Sequence, residues 1–209
     1  PLAHMTWASD GIFANFGDFI NIKGFEGLHV LDYAGGTVVH MSAGLAALCG
    51  AIYLGKRKET KTVPANIPFI ILGTGLLWFG WFGFNAGSAL SANYEAVISF
   101  ANTNIASATS MITWVLYDRF KNKKISAVNA CIGAIVGLVA ITPAAGYVTI
   151  SHSMVIGFTT ALICNFSIVW IKKSKYIDDT LDVFASHGIG GICGMILTAV
   201  FAKEVGLVY

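Results

Sequence analysis

The sequence predicts an all-α integral membrane protein with six transmembrane helices, and three observations predict it. The 209 residues are 56% hydrophobic and only 11% charged, with a mean hydropathy of +0.70, far more apolar than a soluble domain of that size. Long runs carry no charge, each matching one or two multiples of the roughly 20 apolar residues that cross a bilayer as a helix. The basic residues fall in short clusters between those runs, which reports topology and argues against nucleic-acid binding despite a formal net charge of +2.

Residues 1–31 read as an outer segment and loop. Between 8 and 29, Asp10, Gly11, Asn15, Asp18, Asn21, Lys23 and Glu26 are interleaved with aromatics, a mixture that suits a structured loop better than a span. The first span is placed at about 33–55, uncharged apart from His40 and stopped by Lys56, Arg57, Lys58 and Glu59. The second, about 65–88, lies between Lys61 and Glu95, with Pro64 and Pro68 near its start. The third, about 96–117, is ended by Asp118 and Arg119. No charge occurs between Lys124 and Lys172, too long a stretch for one helix, so spans are placed at about 127–142 and 153–171 with a break at Thr142-Pro143-Ala144-Ala145-Gly146. The sixth covers about 183–202.

Lysine and arginine test this division independently, because cytoplasmic loops are enriched in them. Eleven of the 13 follow an odd-numbered span: Lys56, Arg57, Lys58 and Lys61; Arg119, Lys121, Lys123 and Lys124; Lys172, Lys173 and Lys175. The basic loops are therefore expected in the cytoplasm, with Pro1 and Tyr209 on the outer side. The spans that begin before His40 and before His187 then run in opposite directions, as an inverted repeat requires. The chain begins at Pro1 with no initiator Met or leader, and is expected to be part of a longer protein.

His40 and His187 are the residues most in need of explanation, since an ionisable ring within the bilayer is costly. His40 has Gly36, Thr37, Ala43 and Gly44 three and four residues away, and His187 is followed by Gly188, Gly190 and Gly191, so another helix can approach each ring closely. Two facing imidazoles can share one proton and exchange hydrogen bonds with a small polar solute. The plainer reading of these residues alone is an interhelical hydrogen bond. Asp32 and Asp182 each precede one of these histidines, and the ordinary role for such an acid is a helix cap or first-turn charge. The densest aromatic stretch, Leu77 to Ser88, lies at the outer end of the second span. Its rings attract ammonium-like cations and Ser88 adds an acceptor oxygen, unless the stretch is simply an interfacial aromatic belt; Trp7 could join it. His4, His29 and His152 are expected at span ends or in outer loops. Cys49, Cys131, Cys164 and Cys193 sit in apolar runs without CxxC spacing, so packing is expected rather than a disulfide or a metal site. No phosphate loop, HExxH or GxSxG constellation supports an enzyme, and no cofactor is expected.

Four segments resemble signature segments of the ammonium transporter family (Amt/Mep/Rh): Leu31-Asp-Tyr-Ala-Gly-Gly-Thr-Val-Val-His40, Gly80-Trp-Phe-Gly-Phe-Asn-Ala-Gly-Ser88, Thr142-Pro-Ala-Ala-Gly-Tyr147 and Asp178-Asp-Thr-Leu-Asp-Val-Phe-Ala-Ser-His-Gly188. They occur in the family's order across nearly the whole chain, and the second is similar to the Amt/Mep branch. The resemblance implies an eleven-helix fold of two inverted halves, of which this chain would hold six helices and lack the first four and the C-terminal end. It implies a homotrimer with one pore per subunit, in the plasma membrane, carrying ammonium or ammonia. By motif match His40 and His187 are the twin pore histidines, Trp7 and Ser88 belong to an outer ammonium-recruiting site, Phe84 is one of two gate phenylalanines, and Asp32 supports that site. A cytosolic regulatory protein at the basic loops follows by analogy only. The rivals are an ammonium-sensing receptor with little flux and a plain structural membrane subunit.

Overall fold

The computed structural model describes residues 1–24, 26–58, 64, 66–122 and 124–208. Residue 65 at the start of the second predicted span, Glu59, Lys61 and Lys123 of the charged clusters, and the expected outer position of Tyr209 lie outside the described residues. Among those described, all regular structure is helical: α1 (Leu2–Trp7), α2 (Phe16–Ile20), α3 (Gly36–Leu54), α4 (Ile67–Gly87), α5 (Tyr94–Asn122), α6 (Ala127–Ile141), α7 (Ile150–Ile171) and α8 (Phe184–Phe201). Helices α3 to α8 occupy the six segments in which spans are expected. Four of them, α3, α4, α7 and α8, are long and apolar enough to cross a membrane.

The other two differ for physical reasons. Helix α6 has 15 residues and is the interior helix, with every side chain from Val136 to Ile141 buried. Helix α5 runs for 29 residues and continues a turn past Asp118 and Arg119, where the apolar run stops. Charge ends a hydrophobic segment without ending a helix, and the buried Asp118 is met by Asn129 Nδ2 at 2.7 Å. Helix α5 is also the polar one, but its Ser99, Ser107 and Ser110, with Asn102 and Thr103, are buried. Ser107 and Ser110 donate to the Ala134 and Gly133 carbonyls of α6 at 2.9 and 2.6 Å. Such hydrogen bonds replace a hydrophobic driving force between helices in lipid.

Glycines let α5, α6 and α7 approach to backbone contact. A Cβ on Gly137 would lie 2.5 Å from the Ala106 carbonyl oxygen, and one on Gly157 would lie 2.4 Å from the same atom. The helix starts are set locally: Asn66 Oδ1 accepts from Phe69 N at 3.0 Å with Pro68 in the first turn, and the Ser126 and Thr149 hydroxyls cap α6 and α7. Helix α3 ends at Leu54, followed by Gly55 at φ 70°, a positive value that glycine adopts readily.

Helices α3 and α4 are left largely uncovered. Within their apolar stretches 11% and 6% of residues are buried, against 44% for α7 and for α8. Phe69, Leu72, Leu76, Phe79 and Tyr53 are all more than half exposed, a surface that requires lipid or further protein. Just past the end of α3, Arg57 Nε reaches Asp178 Oδ2 at 2.9 Å, and Lys172 Nζ reaches Asp182 Oδ2 at 3.0 Å, linking the basic ends of α3 and α7 to the loop before α8.

Candidate functional site

Two histidines meet because the two helices that carry them begin in the same way. Asp32 Oδ1 accepts the backbone N–H groups of Gly35 and Gly36 at 3.1 and 2.5 Å, and its Oδ2 accepts that of Thr37 at 2.9 Å. These are orphan donors of the first turn of α3, so the carboxylate holds the helix start. Burial pushes this carboxyl above its ordinary value, while the amides of Thr37, Gly36 and Gly35 pull against the shift. Gly35, at φ 103°, supplies the left-handed turn into the helix. The first residues of α3, Gly36–Met41, are π-wound: the His40 N–H reaches back five residues to the Gly35 carbonyl at 3.2 Å. Such insertions are frequent at functional sites.

Helix α8 repeats this arrangement with Asp179, not with Asp182. Asp179 accepts from Val183 N at 2.9 Å and Phe184 N at 2.8 Å, and Phe184–Ile189 is again π-wound. Asp32 precedes His40 by the same eight positions that separate Asp179 from His187. The expectation that Asp182 caps this helix is corrected. Its backbone takes the left-handed conformation at φ 55°, its N–H turns back to the Asp179 carbonyl, and its side chain pairs with Lys172. Burial pushes the Asp182 carboxyl up, and Lys172 lowers it in part.

The rings of His40 and His187 face one another with Nδ1 to Nδ1 at 3.5 Å and centroids 5.5 Å apart. His40 is 3% exposed, and His187 is half-buried. Helices α3 and α8 run in opposite senses here, since Gly36 lies against Gly191 and Gly44 against Gly188. Trp81 stacks on His40 at 5.2 Å, Phe84 stands 6.0 Å from the same ring, and Trp81 and Phe84 meet edge to face at 5.8 Å. An open cavity of about 400 Å³ is lined by these four rings together with Leu76 and Leu77. His187 also borders a smaller cavity of about 170 Å³ with Thr74, Ile135 and Ser186.

Thr142 ties this cluster to the scaffold. Its Oγ1 lies 3.2 Å from His40 Nε2, accepts from Trp81 Nε1 at 3.0 Å and donates to the Leu138 carbonyl at 2.8 Å. The main chain beside it receives the segment leading into α3, with Tyr33 N donating to the Pro143 carbonyl and Ala34 N to the Thr142 carbonyl at 3.0 and 3.2 Å. Gly36 and Gly146 exist for this contact: a Cβ on the first would meet the Pro143 ring at 2.7 Å, and on the second the Tyr33 ring at 2.2 Å.

Of the residues singled out in the sequence, His40, His187 and Phe84 come together. Trp7, at 40% exposure, is joined to Asp32 by its Nε1–H, which donates to the Asp32 carbonyl at 2.8 Å. Ser88 donates to the Phe84 carbonyl at 3.0 Å, leaving its oxygen lone pairs as acceptors. Among the described residues no hydrogen bond or ring contact joins Trp7 to Ser88. Sequence reasoning missed Trp81, Thr142 and Asp179. Trp81 lay inside the aromatic stretch without being distinguished from its neighbours, Thr142 was read as part of a turn, and Asp179 carried the legible signal of an equal spacing to its histidine. His152, expected at a span end, lies in the first turn of α7 and stacks on Phe201 at 4.7 Å.

Apolar helices of spanning length around two facing imidazoles define a membrane protein with a histidine pair flanked by aromatic rings. The comparisons with known proteins narrow this class. A family model described as Ammonium Transporter Family matches residues 1–207. The ammonium transporter of Aquifex aeolicus is 45% identical over 202 residues, which is 97% of this chain and 45% of that protein. The crystal structure of Candida albicans Mep2 superposes with a TM-score of 0.85 at 41% identity, covering 98% of this chain and 44% of that one. A solved structure described as a sensor Amt protein gives a TM-score of 0.79 at 35% identity over 83% of this chain and 45% of that one. The chain belongs to the ammonium transporter family and holds part of the Amt/Mep fold. It spans about half the length, or less, of the curated relatives it matches.

Proposed function

We propose that the protein containing this chain carries ammonium across a membrane through a pore whose midpoint is the His40/His187 pair. The observation that carries the reading is the 3.5 Å approach of two Nδ1 atoms from antiparallel helices beside an aromatic cavity. Only neutral solutes cross an apolar channel cheaply, and ammonium differs from an alkali cation in having N–H donors and a proton to lose. In this reading Trp7 and Ser88 recruit the cation on the outer side by cation-π attraction and hydrogen bonding, with Asp32 holding that region in place. Phe84 gates the passage, deprotonation occurs beside it, and ammonia passes the two histidines.

The exposed faces of α3 and α4 accept the family's missing first half, which completes the pore wall. All six helices α3 to α8 cross the plasma membrane, with the basic ends of α3, α5 and α7 in the cytoplasm and Pro1 and Tyr209 outside. The assembly is a homotrimer by family analogy, and a cytosolic regulatory protein would meet it at the basic loops. In the full-length protein reconstituted into liposomes, His187→Ala should abolish or radically alter ammonium uptake. Unchanged flux and selectivity would reject the pore assignment.

The likeness to a sensor Amt protein favours a second reading, a receptor that binds ammonium with little flux. It is the weaker one because the transporter relatives match more of this chain at higher identity. Ammonium-dependent currents in liposomes would reject it.

A further inference from the structure

We infer that Thr142 fixes the tautomer of His40 and thereby the direction of the hydrogen bond between the two histidines, leaving His187 Nε2 as the acceptor that the pair offers to a solute. The tautomers rest on distances within this chain. Their consequence for transport rests on the pore reading above.

The argument is a count of protons. Thr142 has one hydroxyl proton and two lone pairs, Trp81 Nε1 can only donate, and the Leu138 carbonyl can only accept. The Oγ1 atom and the Leu138 oxygen are 2.8 Å apart, the ordinary length of an O–H···O bond. Two oxygens cannot rest at that distance without a proton between them, so the hydroxyl proton lies toward Leu138. One lone pair of Oγ1 then takes the Trp81 N–H at 3.0 Å. The other faces His40 Nε2 at 3.2 Å, and that contact is a hydrogen bond only if Nε2 carries the proton.

A neutral imidazole has one donor and one acceptor nitrogen. With Nε2 protonated, His40 Nδ1 presents a lone pair to His187. The Nδ1 atom of His187, 3.5 Å away, must therefore donate, which leaves His187 Nε2 unprotonated. The rings look equivalent in sequence but are unequal in chemistry. His40 has both nitrogens engaged, by Thr142 and by His187. The acceptor site left for an N–H donor such as ammonia belongs to His187, which borders both cavities. Reversing the direction would require moving the Thr142 proton off Leu138 together with both ring protons.

The test is solid-state NMR of the full-length protein in lipid bilayers, with ¹⁵N-labelled and sequence-assigned histidines. The wild type should show a protonated, pyrrole-type Nε2 and an unprotonated Nδ1 at His40, with the opposite pattern at His187. Thr142→Val removes the hydroxyl at equal shape, and should move the protonated-type signal of His40 partly or wholly to Nδ1. Thr142→Ser should keep the wild-type pattern. A protonated Nδ1 at His40 in the wild type, or an unchanged pattern in Thr142→Val, would overturn the inference. The wild-type spectrum decides the matter even where the Val variant does not fold. Ammonium uptake measured on the same liposomes separates the two readings: predicted tautomers without uptake reject transport alone, and reversed tautomers with uptake reject the Thr142 inference alone.

Discussion

Gly44 and Gly188 touch backbone to backbone: a Cβ placed on Gly44 would lie 2.1 Å from the Gly188 nitrogen and 2.3 Å from its Cα. The contact falls one turn after His40 and one residue after His187, so it sets how closely the two rings can approach. Gly44→Ala must separate α3 from α8, an overpacking that costs about 1–3 kcal/mol. At Gly188 the nearest atom is Phe184 Cδ2 at 2.8 Å, the end of a side chain that can turn away. Thermal unfolding of the detergent-solubilised full-length protein should therefore show a larger loss for Gly44→Ala than for Gly188→Ala.

Asp32 and Asp179 should be equivalent in a stability assay although only one was singled out in the sequence. Each accepts at least two first-turn amides of a π-wound helix start. Replacing either by Ala should cost about 1–2 kcal/mol, the usual loss for a helix cap. Asp178→Asn should cost less, on the order of 0–1 kcal/mol, because its partner Arg57 is partly solvated at 32% side-chain exposure. Melting temperatures of the three variants would rank them.

Asn102 closes the turn between α6 and α7. Its Nδ2 donates to the carbonyls of Ala145 and Val148 at 2.8 and 2.9 Å, and all three residues are buried. Asn102→Leu leaves both carbonyls without that donor, at about 1–3 kcal/mol for each buried group left unpaired. A fall in melting temperature larger than that of the Asp178→Asn variant is expected. An Asn102→Leu protein as stable as the wild type would show that solvent or lipid headgroups reach this turn.

Phe84 lines the open cavity together with His40, 6.0 Å from that ring. On the pore reading, Phe84→Ala should raise the uptake of methylammonium relative to ammonium, because the ring restricts what reaches the histidines. The ratio of the two uptake rates in liposomes checks this, and an unchanged ratio would remove Phe84 from the gate.

Most of the helix plan was legible because hydrophobic length and charge placement are local properties. The ranges of α4, α7 and α8 fall on uncharged apolar runs. Helix α5 was the exception, since it runs on past Asp118 and Arg119, where the apolar run stops, with the buried Asp118 met by Asn129 from the next helix. In the site, His40 and His187 stood out because an ionisable ring in an apolar run needs a reason. Trp81 did not, because nothing local distinguishes it from Trp78 or Phe82 in the same helix; only the position of Thr142, 61 residues later, makes its N–H a structural bond.

The sequence by itself determined that this is a helical membrane protein of the ammonium transporter family with two histidines of interest, because those facts rest on composition, charge order and contiguous motifs. The tertiary structure decided which tryptophan stacks on His40 and which nitrogen of each ring faces its partner. Those outcomes depend on distances of a few ångströms between segments some 60 to 150 residues apart, and packing of the helices alone brings such atoms into hydrogen-bonding range.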